Sequence, residues 1–517
     1  MNRTFTVRVS DSAGNETVGS VDFQSGSVET ILTGDIGGLV PAGTTARLRG
    51  NCRLIENLHV RGTLLCDATG VDLDGQNLFD IHTHDGTLNL VGQEKTAWSG
   101  WGGQRFVGDP VVPVVGWQPG DRLAVAPTAV GVFQASETVW TGDWATMVRP
   151  VNSPNVTLVD GRVALPEVVN LSQTVTLRNL KRIMIHEATA PNPQTMKWIR
   201  VLNSGEAGVL GNYPIHFHLI GNHARGSLLE GVVVEGGKNH AFVPHGSHGI
   251  SFPGCVAYKT TNDAFWWDVI PATINDSNDI DWSDCLALQV TAVPGMLRTT
   301  GFVIGAGVGN KCNRSVAVGT PGKLNFDGSR SGFLWPEEAS RQPWEFKDCL
   351  AHNNVENGSF AWQNNTNHHL IEDFTTYRNG RSGINHGAYV NDYAYLGGSM
   401  TGDGFLLHAL SRENVVLRVE DFKTDAPLKV LTHNFAFFGP TVFRNIDKFS
   451  QVVYAERGTT EQGRPSWVQF FDCGLHPTDF RLFGNPPPTL AEIHPSSIIE
   501  IFEGGTLVHR WQSGVWS

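Results

Sequence analysis

The sequence predicts an all-β protein: a right-handed parallel β-helix (solenoid) with an N-terminal β domain before it and a small C-terminal β domain after it. Three observations carry this. The 58 glycines and 26 prolines are spread along all 517 residues rather than gathered in a linker, as many short strands joined by tight turns require. Residues 236–408 repeat one unit loosely. No segment of useful length shows helical periodicity.

The repeat is clearest in Cys255-Val256-Ala257-Tyr258-Lys259-Thr260-Thr261-Asn262, Cys349-Leu350-Ala351-His352-Asn353-Asn354 and Phe374-Thr375-Thr376-Tyr377-Arg378-Asn379. Each unit has an apolar strand, a polar Asn-containing turn, a small residue and a second apolar strand. Periods of roughly 20–50 residues mark solenoids, and units this short and strand-rich favour a β-helix. One coil cannot bury its apolar face alone, so coils stack and share a core. Asn262, Asn354 and Asn379 are expected to stack as a side-chain amide ladder.

The expected divisions are residues 1–29 as an N-terminal strand, 30–150 as the first β domain, 151–425 as the helix and 426–517 as the C-terminal domain. In the last, Gly504-Gly505 between two apolar runs predicts a hairpin. A net charge of −12 argues against nucleic acid as the main partner. No apolar run is long enough to insert in a bilayer. An anionic polysaccharide would need local basic residues or a bound cation. The seven cysteines form no zinc-type spacing and read as buried thiols. The first residues alternate like a strand and lack the apolar core of a signal peptide, which is expected of a virion protein or of a chain whose leader has been removed.

Several segments resemble the family that joins an eight-glycine domain to parallel β-helix repeats, which includes fibrocystin and the cell-migration-inducing and transmembrane hyaluronidases. The Val40-Pro41-Ala42-Gly43 turn and the strand after it are similar to the eight-glycine domain, making residues 30–150 eight-glycine-like. Trp117-Gln118-Pro119-Gly120-Asp121-Arg122 looks like the family's Trp-x-x-Gly-Asp segment. Tyr213-Pro214-Ile215-His216-Phe217-His218 matches its Tyr-Pro-Ile-His-Phe-His signature. Val243-Pro244-His245-Gly246-Ser247 and Ala351-His352-Asn353-Asn354 resemble two further motifs. The resemblance covers roughly residues 30–410 in order and implies polysaccharide chemistry of the hyaluronidase kind. The sequence departs from the family at Ala129, Ser136 and Asp263, where acids and a histidine would stand.

His216 and His218 lie two apart in a strand, so both point to one face, opposite Ile215 and Phe217. Such a pair suits one metal ion or one sugar; His245, His248, Asp263 and Asp268 are the nearest further ligands. Asp263 and Asp268 flank Ala264-Phe265-Trp266-Trp267, and paired carboxylates run glycoside hydrolysis when about 5–5.5 Å (retaining) or about 6.5–9.5 Å (inverting) apart. A lyase needs instead a cation and a base; Lys259 and Arg225 are available. The catalytic candidates are therefore His216, His218, Asp263 and Asp268. Tyr213, His245, Arg122, Trp266 and Trp267 are candidate substrate contacts, the tryptophans as stacking faces for sugar rings. A divalent cation such as calcium is the expected cofactor, and the acidic run from Asp276 to Asp284 resembles a calcium loop only in part. His82 and His84, beside Asp85, read as solvated turn residues.

Two functions follow. One is an extracellular polysaccharide-recognising β-helix that cleaves an acidic glycan as a hydrolase or lyase. The other is a non-catalytic adhesin or structural part of a phage tail, at the virion surface. Expected partners are a cell-surface glycan, other virion tail proteins and, by analogy with phage β-helices, two more copies of the chain in a homotrimer.

Overall fold

The computed structural model describes residues 3–10, 16–23, 29–266, 276–292, 299–305, 307–320, 330–335, 343–361, 369–386, 393–409, 417–432, 440–447, 449–456, 467–483 and 497–517. Among these there is no α-helix; strands dominate, with three short 3-10 turns. Nearly all strand pairing is parallel and joins one coil to the next, as the repeat predicts.

One column of strands shows the build. Val71–Asp74, Val175–Arg178, Ile199–Leu202, Val233–Glu235, Val256–Tyr258, Leu286–Leu288, Val316–Val318 and Leu350–His352 pair in turn. From Val175 onward the register advances by 23 to 34 residues per coil, so coils of unequal length stay in step by varying their turns. Each strand in the later part of this column ends in a residue with left-handed backbone: Lys259, Gln289, Gly319, Asn353 and Arg378, with φ between 49° and 69°. A non-glycine residue is costly there. The sharp corner it makes turns the next side chain inward.

From Thr320 onward those inward residues form a polar ladder. Thr320 donates to Asn354 Oδ1 through its amide at 3.0 Å, Asn354 Nδ2 donates to Asn379 Oδ1 at 2.9 Å, and Asn379 Nδ2 donates to Asp403 Oδ2 at 2.8 Å. Asn262 does not belong to this ladder. It sits two positions further along its coil and donates to Asn239 Oδ1 at 3.0 Å. The apolar core runs beside the ladder, with Phe242, Phe265, Phe302 and Phe333 stacked at centroid distances of 4.8, 4.5 and 5.0 Å. All seven cysteines are buried and free. Several give their thiol to a carbonyl of the preceding coil, as Cys255 does to Leu229.

Parallel coil pairing begins at Glu29–Val40 and continues to Ile498–Glu503, so stacked coils occupy both the 30–150 and the 426–517 segments. The solenoid ends in the antiparallel hairpin Ile498–Glu503 and Thr506–Gln512, turned at Gly504 and Gly505. Between Thr87–Val91 and Val175–Arg178 the chain leaves the stack and builds an antiparallel sheet from Trp98–Gly100, Arg122–Val125, Ser136–Val139 and Glu167–Asn170. This insert has its own small core, in which Trp117, Trp140 and Trp144 pack within 4.9 to 5.6 Å of one another. It is docked on the coils by the buried Glu167–His352 contact, 3.0 Å long, with Tyr377 stacked on His352 at 4.4 Å.

Candidate functional site

Five strands carry the site: Thr45–Val60, Ile81–His84, Ile183–His186, Ile215–Gly221 and Phe242–Ser247, each paired in parallel to the next. Leu58, Ile81, Ile183, Ile215 and Phe242 are in register and fully buried in the core. Strand alternation therefore sends the neighbours of these residues to the outer side. There the sequence places His59, His82 and His84, then Met184 and His186, then His216 and His218, then Val243 and His245.

His218 is directly opposite His245 in the register. One ring nitrogen from each of His216, His218 and His245 falls within 4.8 Å of the others. The rings of His216 and His245 are nearly coplanar in orientation, 8° apart at 5.9 Å. His216 and His245 are buried and His218 is half-buried. His216 Nδ1 lies 3.1 Å from the Gly211 carbonyl, which accepts its proton and leaves Nε2 with the lone pair. That Nε2 is buried with no hydrogen-bond partner among the described residues.

Burial holds all three imidazoles below their usual pKa, His216 well below and His245 down to about 4, with the neighbouring His218 adding repulsion at both. The trio is neutral at neutral pH, the form that binds metals. Three imidazole nitrogens, one already oriented by a backbone carbonyl, suit a borderline ion such as zinc with an open fourth position. Calcium prefers six or more hard oxygens, which this trio does not offer.

Aromatic groups wall the trio. The Tyr213 ring is 4.7 Å from that of His216, 5.3 Å from His240 and 5.7 Å from Trp266. Trp266 stacks on His240 at 3.8 Å, and burial lowers the His240 pKa to about 3. Tyr213 and His245 thus stand against the histidine pair and Trp266 behind Tyr213, all three buried. Asp263 is 2% exposed, and its Oδ1 accepts both the amide and the hydroxyl of Thr300 at 2.9 Å. That arrangement ties Asp263 to the strand Thr299–Val303 of the next coil. Asp268 and Trp267 lie outside the described residues.

Arg122 stands elsewhere. It is on the insert, 3.1 Å from Glu137 and 3.2 Å from Glu235, and Glu235 belongs to a different strand column of the coil. Lys259 pairs with the same Glu137 at 2.8 Å, and Arg225 with Asp279 at 2.7 Å. His248 Nδ1 accepts the Asn278 amide at 3.2 Å. The run from Asp276 to Asp284 is dispersed: Asp279 binds Arg225, Asp284 binds Arg314, and Asp281 accepts the Ser283 hydroxyl.

Two features had no clear signal in the sequence. Arg182 lies close enough to His216 and His218 to lower their pKa, and only coil stacking brings it there. An open cleft of about 760 Å³ lies between the insert and the coils, lined by Trp98, Arg105, Arg162, Trp198 and Arg314 among others.

Residues 183–269 match the family described as CEMIP beta-helix, and this span contains the whole histidine trio. No curated protein matches the chain. Among solved structures, the chain is similar to the tailspike protein gp49 from Pseudomonas phage LKA1, at 10% identity over 86% of this chain and 75% of that one, with a TM-score of 0.30. It is also similar to the Gp54 tailspike of Acinetobacter baumannii bacteriophage AP22, solved in complex with A. baumannii capsular saccharide, at 8% identity over 88% and 74% of the two chains and a TM-score of 0.26.

Proposed function

We propose that this chain is a glycan-recognising β-helix of an extracellular or virion surface, a host-recognition part of a phage tail, with His216, His218 and His245 as its chemical centre. The single observation that carries the reading is the convergence of three neutral imidazoles, one with a buried and unpartnered Nε2, beside an aromatic wall of Tyr213, His240 and Trp266. A bound divalent ion of the zinc class would supply a Lewis acid there. It would also supply the positive charge that an acidic sugar needs on a chain of net charge −12. The chain's own residues do the rest: Gly211 fixes the His216 tautomer, and the buried Tyr213 and Trp266 shield the trio from water. The cleft with Trp98 and Trp198, lined by none of the trio, offers a separate surface for sugars. Other tail proteins and further copies of this chain are the macromolecular partners the reading implies.

The test is binding of purified protein to a panel of acidic and neutral glycans, with and without chelator, followed by assays for new reducing ends and for unsaturated uronates. The reading expects binding that falls with chelator, returns with zinc, and is lost in His216→Ala and His218→Ala. Unchanged binding in the chelated protein and in both variants would overturn it. Product formation in the same tubes would add glycan cleavage to recognition.

A further inference from the structure

We infer a second divalent transition-metal site of the zinc class, built by His59, His82 and His84 on the first coils and separate from the His216 trio. The same outward face continues towards the N-terminus; Met184 occupies the register position between His82 and His216, while His186, in register with His84, stands between His84 and the His216 trio. One ring nitrogen from each of His59, His82 and His84 lies within 4.8 Å of the others. His59 Nδ1 and His84 Nε2 are 3.2 Å apart. Two nitrogens bound tetrahedrally to one ion, at metal–nitrogen distances of about 2.0–2.1 Å, stand roughly 3.3 Å from each other.

The surroundings are those of ligating histidines. Glu187 Oε2 lies 2.7 Å from His84 Nδ1, a carboxylate that accepts the Nδ1–H hydrogen bond and leaves Nε2 with its lone pair facing His59, as outer carboxylates do behind metal-bound imidazoles. Asp80 Oδ2 lies 3.0 Å from His82 Nε2, and Arg182 Nε donates to that same nitrogen at 2.9 Å and to Asp80 at 3.2 Å, so His82 offers an ion its other nitrogen, Nδ1. His186, whose buried Nε2 has no hydrogen-bond partner among the described residues, stands against His84 with ring centroids 4.5 Å apart. The three ligand rings are only partly buried, so an ion has a path in. His59 and His84 come from successive coils and Glu187 from the next, beyond the insert. An ion here ties the start of the solenoid to the coil that resumes after it.

Part of this inference shares its chemistry with the proposed centre, so the experiment separates the two. Metal-stripped protein is titrated with zinc chloride by calorimetry and with cobalt(II) by visible absorption. The full chain, a His216→Ala/His218→Ala variant, and that variant further changed at His59→Ala and His84→Ala are compared. The expected result is one equivalent in the double variant, none in the quadruple variant, and a zinc-dependent rise in melting temperature in the first that is absent from the second. Circular dichroism checks folding, and His59→Gln with His84→Gln replaces the alanines if they unfold the chain. The inference is overturned if the double variant binds no zinc, or if the quadruple variant binds it as well. It is also overturned if His186→Ala abolishes binding while His59→Ala does not, which would assign the ion to His84, His186 and Glu187 instead. If the full chain and the double variant both bind one equivalent, the His216 centre fails as a metal site while this one stands.

Discussion

Asp403 closes the polar ladder inside the solenoid, and its titration makes the stability of the fold depend on pH. The carboxyl group is 2% exposed and accepts the Asn379 amide at 2.7 Å and the Asn379 side chain at 2.8 Å. Burial outweighs these bonds and raises its pKa from 3.8 to about 7. The folded chain therefore holds a proton that the unfolded chain releases at much lower pH. Below about pH 4 both states are protonated and the contribution of the neutral acid is fully present. As pH rises through the window to about 7 it is lost, and above 7 both states are ionised. A shift of about 3 units at about 1.4 kcal/mol each makes the loss on the order of 4 kcal/mol. Asp403→Asn removes the titration and gives up one acceptor at a cost of about 1 kcal/mol, which does not vary with pH. Denaturant unfolding of both proteins at intervals from pH 4 to pH 8 gives the difference curve. It should slope in favour of the variant as pH rises, and a flat difference would refute the reasoning.

Three further outcomes are expected. Phe302→Ala, which empties the middle of the Phe242–Phe265–Phe302–Phe333 stack, should destabilise by about 3–5 kcal/mol, and Phe302→Leu by under about 1.5 kcal/mol, in chemical denaturation. Glu167→Leu strands the buried His352 nitrogen at the insert–coil junction and should cost about 1–3 kcal/mol. Glu167→Gln, which keeps an acceptor, should cost less, and proteolysis of the insert would report the same order. Arg122→Ala should change stability by less than about 1 kcal/mol, since the Arg122–Glu137 pair is 48% and 39% exposed and the buried Glu235 keeps Arg200 as a partner, and should leave metal binding at both histidine groups unchanged.

The strand-and-turn rhythm was legible in the sequence because it is local. An apolar strand, a left-handed polar corner and an inward polar residue follow one another within a few positions, and they recur at Tyr258-Lys259-Thr260, His352-Asn353-Asn354 and Tyr377-Arg378-Asn379. The shared face of His216 and His218 is local in the same way, because strand alternation alone decides it. The reading of Asn262 as a ladder residue failed by two positions, since a loose repeat does not say which residue turns the corner.

Lateral neighbours were decided by the tertiary structure. His245 reaches His218, and Asn262 meets Asn239, only because each coil closes with its own number of residues, from 23 to 34, and that number follows no period. His84 and His186 are in register across an insert that separates them by about a hundred residues, a distance at which spacing in the chain carries no information about contact. Arg122, read as a candidate substrate contact, is carried by that insert to Glu137 and Glu235, away from the histidines. The sequence thus determined which side chains face outward on each strand, because the pleat has a period of two. Stacking decided which of them meet, because register between coils depends on turn and insert lengths that a strand does not encode.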